Sequence, residues 1–186
     1  MNFKDIFPFV TFFLGVLLTP YIERRKEKGK IQSLKRNILV ELEDELLTLE
    51  RSIKIASRSI QKREHQSVDY QYISLGKRFN PILLEQHLKE VYSHFNQDTR
   101  TVLKNLLLLS EQIKENYVFV CENWKTDNLQ CCTKEESMLF SMLSVYFVLN
   151  KLKNEADRFR LPDLSNQEIV EMAAAALQIP TPCKAS

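Results

Sequence analysis

The residues whose types could do chemistry are few and scattered. His87, Glu90 and His94 would share one side of a helix at i, i+3 and i+7, and two imidazoles with a carboxylate are familiar metal ligands. A closed site needs further ligands from elsewhere, and the cysteines do not supply them. Cys121, Cys131, Cys132 and Cys183 show no paired C-x-x-C spacing, and adjacent Cys131 and Cys132 are poorly placed to bridge each other. They are read as free thiols of a reducing compartment, with no metal or cofactor expected. The sequence has no phosphate-cradling glycine loop, no G-x-S-x-G and no H-E-x-x-H. With three glycines and three histidines in 186 residues, most catalytic constellations lack their raw materials. An enzyme is not expected.

The cations are better organised. Arg51, Lys54, Arg58 and Lys62 recur at helical spacing and form one stripe, which could dock an acidic partner or a phosphate-bearing ligand. Glu50 and Lys54 also make an ordinary i, i+4 surface pair. A second set, Tyr70, Tyr72, Lys77 and Arg78, lies in the stretch REHQSVDYQYISLGKRF. Aromatic faces beside positive charge could hold a nucleotide or an anionic peptide. Val68, Tyr70 and Tyr72 alternate as a short strand would.

The third set follows an apolar run. No residue from Ile6 to Ile22 is charged, and Phe9, Phe12, Phe13, Leu14, Leu17 and Leu18 dominate it. A helix over that run reaches about 25 Å, near the short limit for a bilayer core. Tyr21 stands where an interfacial ring belongs. Pro8 and Pro20 fall near the two ends, where a missing backbone donor costs least. A cleaved leader would need a positive start and a small-residue cleavage site, and TPYIERR offers none. A surface-lying amphipathic helix would need a polar face, which the run lacks. The expectation is an uncleaved single-pass anchor over 1–22.

Arg24, Arg25, Lys26, Lys28 and Lys30, with Lys35 and Arg36, then form a basic segment over 23–36. By the positive-inside rule they place the following chain in the cytoplasm and the N-terminus outside. They would also be drawn to anionic headgroups. The chain's formal charge of +2 therefore arises at this end. The remainder is mildly acidic and lacks the footprint of a nucleic-acid binder.

Residues 37–179 must form the elements that carry these groups. Scarce glycine among abundant Leu, Glu, Lys and Gln argues for helices. Ile31, Leu34, Ile38, Leu42, Leu46, Leu49, Ile53, Ala56 and Ile60 recur at an average of about 3.6 residues, as on a bundle helix. Asn80-Pro81 reads as an N-cap and first helical residue, before Leu83, Leu84, Leu88, Val91, Tyr92 and Phe95. A break at Asn96-Gln97-Asp98 precedes Val102, Leu103, Leu106, Leu109, Ile113, Tyr117, Val120, Cys121 and Trp124.

Thr133 and Glu136 fit a capping box before a helix apolar on nearly every side from Met138 to Leu149. That helix is either the centre of the bundle or one face of a partner interface. Leu161-Pro162-Asp163 closes it. Ser165 and Glu168 form a second capping box, and 180–186 is a tail.

The expected fold is all-α, an N-terminal transmembrane helix followed by a cytoplasmic bundle of about five helices. The expected function is an anchored interaction protein that docks another protein, or a second copy of itself, at the membrane face. The alternative is a membrane-acting effector, triggered by a ligand or partner to oligomerise and perturb the bilayer.

Overall fold

The computed structural model describes the backbone of residues 3–64, 74–155 and 158–182. Side chains are described within those ranges from Phe13 onward, apart from residues 63, 64 and 128. Among the described residues every regular element is helical: α1 (Phe3–Glu64), α2 (Ile82–Val91), a 3₁₀ turn (Tyr92–His94), α3 (Gln97–Asn123), α4 (Asn128–Glu155) and α5 (Asn166–Leu177). The chain divides into two compact units, Met1–Asn37 and Ile38–Ser186.

The first unit is the N-terminal part of α1. The apolar run, the basic segment and the first amphipathic period lie on one uninterrupted helix. Gly29 does not end it. A lone glycine in an exposed helix costs about 1 kcal/mol, too little to break hydrogen bonding carried by its neighbours. Pro20 is likewise inside the helix and not at an end, and just before it Thr19 Oγ1 donates to the Gly15 carbonyl at 2.7 Å. The first part of the expected membrane span, 6–12, lies outside the residues with described side chains. Among the described residues, no helix is long and apolar enough to cross a membrane.

In the second unit the apolar period of α1 becomes core. Ile38, Leu42, Leu46, Leu49, Ile53 and Ala56 are all buried. Helix α4 is central, with α3 and α5 as its most extensive neighbours. Its all-round apolar character is absorbed by that position. Met138, Leu139, Met142, Leu143, Val145 and Leu149 are buried, and Phe140, Tyr146, Phe147 and Val148 are half-buried.

Two helix starts differ from expectation. Asn80 does not cap α2; the cap position is Pro81, with no side-chain bond of its own. A carboxylate on α1 does the work instead. Glu41 accepts from the Leu83 and Leu84 N–H groups at 2.7 and 3.0 Å, and a negative group at a helix N-terminus also suits the helix dipole. Helix α4 starts at Asn128, so Thr133 lies inside it. The N-terminal acceptor is Asp127, whose Oδ1 receives the Gln130 N–H at 3.0 Å. The Thr133 hydroxyl donates back to the Leu129 carbonyl at 3.3 Å, the local bond of a mid-helix threonine.

Helix α4 ends at Glu155, before the Leu161-Pro162-Asp163 stop. The other two starts follow the sequence. Asn96 Oδ1 accepts from Thr99 N–H at 2.7 Å at the head of α3. Ser165 and Glu168 form a reciprocal capping box at the head of α5.

Candidate functional site

Within the second unit, the segment 74–80 returns along α1 and is held there by serines about two helical turns apart. Ser52 and Ser59 are buried and share a face of α1, seven residues apart. Ser59 Oγ accepts the Ser74 N–H at 3.3 Å, and Ser52 Oγ accepts the Lys77 N–H at 2.9 Å. Between them Gly76 adopts φ +69°, and a Cβ there would meet Ser52 Cα at 2.8 Å. The close approach and the left-handed backbone both require glycine. Leu75 and Phe79 then bury beside the bundle, and the Phe79 carbonyl accepts from Ser110 Oγ of α3 at 3.2 Å.

This packing forms a cleft of about 180 Å³ lined by Ile55, Arg58, Ser59, Lys62 and Ser74. Two cations thus face a concave site whose floor is a buried, bonded serine. Among the described residues no acidic side chain lines it.

The rest of the expected cationic stripe is dispersed. Lys54 is taken by Glu50 at 2.6 Å, and Arg51 is exposed without lining the cleft. Lys77 and Arg78 are exposed. Lys77 acts on Glu45, whose carboxyl is raised above the ordinary carboxylate range by burial, reinforced by Glu41 and Asp44. The Asn80 N–H and Lys77 oppose that rise. Tyr70, Tyr72 and the expected strand at Val68 lie outside the described residues. Ser59 and Ser74 were not singled out from the sequence. The available signal was two serines seven apart on an apolar stripe, which marks a close backbone approach.

Two other clefts have different characters. One, about 520 Å³, lies among Asn96, Gln97, Asp98, Arg158, Phe159 and Arg160, and mixes a carboxylate with two guanidiniums. An uncharged cleft of about 250 Å³ runs between α3 and α4, with Gln112, Ser137, Ser141 and Ser144 in its wall. There Ser141 Oγ donates to Gln112 Oε1 at 3.3 Å, and Asn116 Nδ2 donates to Ser137 Oγ at 3.4 Å. These bonds satisfy polar groups at a helix–helix seam. His87 Nδ1 is 2.9 Å from Glu90 Oε1. Among the described residues no group of three or more His, Cys, Asp or Glu side chains is placed to hold a metal ion.

In the first unit, the described part of the apolar run is exposed on all sides. Phe13, Leu17 and Tyr21 are 61%, 70% and 63% accessible, and Leu14, Leu18 and Ile22 are exposed with them. Arg24, Arg25, Lys26, Lys28 and Lys30 follow on the same helix, each exposed. Phe9 and Phe12 lie outside the described side chains. No family model, no curated protein and no solved structure matches the chain.

Proposed function

We propose that the chain is a membrane-anchored helical interaction protein, which holds its bundle at the cytoplasmic face of a membrane and docks a partner protein there. One observation carries the reading: a helical stretch apolar on every side, exposed to solvent and followed at once by five cations. In water such a stretch is costly, since each large apolar side chain left exposed forgoes about 1.5–3 kcal/mol of burial. A bilayer relieves that cost. The cations supply the headgroup contacts and, by the positive-inside rule, the orientation.

Docking by the bundle is supported by Val40 and Leu47, which lie seven residues apart on one side of α1 and are both exposed. The half-buried side chains of α4 contribute less, because that helix is committed to the bundle core.

The test is co-purification from native membranes in mild detergent, using the full chain and a Val40→Glu/Leu47→Glu variant. A defined protein should accompany the wild type at fixed stoichiometry and be lost with the variant. Recovery of the wild type alone, with or without cross-linking, contradicts the docking reading. Depolarisation of cells that depends on the anchor would instead identify a membrane-acting effector.

A further inference from the structure

We infer that a second copy of this chain covers the Val40–Leu47 side of α1, and that it does so with a cationic face of α3 centred on Lys104. Such pairing rests on the docking reading of that α1 face, and fills the face when no other protein does.

The α1 side is acidic around its apolar residues. Glu43 and Asp44 are exposed, as are Val40 and Leu47 at 49% and 58%. All four fall within an arc of about 100° around the helix.

The α3 side is the converse. Arg100, Lys104 and Leu108 follow at intervals of four residues, so they stand on successive turns of one face. Leu108 is 70% accessible. Tyr92 gathers the two cations: the Arg100 guanidinium carbon and Lys104 Nζ lie 5.4 and 4.8 Å from its ring centre. A ring face attracts a cation without neutralising it. The two charges are therefore held in place, still positive, beside an exposed leucine.

Each face carries what the other lacks. Contact of Leu108 with Val40 and Leu47 brings Glu43 and Asp44 to Arg100 and Lys104, and opposite charges around an apolar contact fix its register. Both faces stand on helices whose other sides are buried in the bundle, at Leu42 and Leu46 and at Leu103 and Leu106. Little ordering is then lost on association. Because the two faces differ, the contact is head-to-tail. A patch this small belongs with transient encounters, which bury less than about 1,200 Å², so association depends strongly on concentration.

Sedimentation velocity of the full chain in mild neutral detergent tests the pairing over about a hundredfold range of concentration. The sedimentation coefficient of the wild type should rise with concentration. Glu43→Lys/Asp44→Lys and Arg100→Glu/Lys104→Glu should each associate at least about tenfold more weakly, because like charges then meet. An equimolar mixture of the two variants should regain the wild-type rise, since each finds opposite charges on the other, and that recovery also shows that both are folded. Leu108→Gln, at an exposed position, should weaken association without reversing a charge. The anchor is common to every protein, so association through it cancels in the comparison.

A wild type that stays monomeric, or a mixture that recovers nothing, overturns the pairing. So does undiminished association of Arg100→Glu/Lys104→Glu and Leu108→Gln, which would assign antiparallel contact between two α1 helices through Glu43 and Arg51. A monomeric chain that still brings another protein from native membranes leaves the docking reading standing; a chain that self-associates and brings no other protein does the reverse.

Discussion

At Glu45 burial and charge oppose each other. Its carboxylate receives the Asn80 N–H at 3.2 Å, yet desolvation and the neighbouring Glu41 and Asp44 hold its pKa above the ordinary value of 4.5. A carboxyl whose pKa is raised on folding binds more protons in the native state. Stability therefore falls as pH rises from about 4.5 through the folded pKa, and the loss persists above it. Glu45→Gln keeps an acceptor for Asn80 and removes the charge. It should raise the melting midpoint at pH 7 by about 1–2 °C, a small effect because Glu45 is only half-buried. The advantage should vanish below the ordinary carboxylate range. A midpoint lower than wild type at both pH values would show that the Asn80 bond outweighs the desolvation.

At this scale the sequence was a partial guide. It marked Arg58 and Lys62 by their helical spacing, but gave Arg51 and Lys54 the same standing. Only the packing of 74–80 against α1 separates the pairs. Gly76 shows why: its requirement arises from Ser52, which is close in space and remote in sequence.

Helices and their periods were readable because they depend on local repetition. The α1 apolar series became core in the second unit, and the Ser165–Glu168 box formed as its spacing indicated. Starts fixed by tertiary partners were not readable. Helix α2 is capped by Glu41, more than forty residues earlier, and no local pattern could reveal that carboxylate. Thr133 satisfied the capping pattern but Asp127, six residues before it, holds the first turn of α4.

The far end of α5 carries its own test. Gln178 adopts φ 56° in the left-handed region, while Gln178 and Ile179 N–H groups bond to Ala175 and Ala174 carbonyls at 3.1 and 3.0 Å. This is the Schellman arrangement, where glycine usually sits. Gln178→Gly should stabilise the folded state by about 1 kcal/mol, since the left-handed strain of a residue with a Cβ is removed. Chemical denaturation checks it through a higher midpoint at unchanged slope. A lower midpoint would mean that the Gln178 side chain contributes more than the strain costs.

For the whole molecule, the two units pose different physical problems. The bundle unit solves its own: α4 packs against α3 and α5, Ser141 and Asn116 find partners at the α3–α4 seam, and Ser52 and Ser59 accept from the backbone of 74–77. The first unit does not, because Phe13 to Ile22 are exposed.

If lipid covers this stretch, as proposed, alkaline carbonate extraction of membranes containing the full chain should leave the protein in the pellet, and it should float with the vesicles afterwards. Leu14→Asp/Leu17→Asp should be released to the supernatant, because a charge at the centre of a span costs about 2.5–3.5 kcal/mol on insertion scales. Complete release of the wild-type chain by carbonate would contradict the anchor.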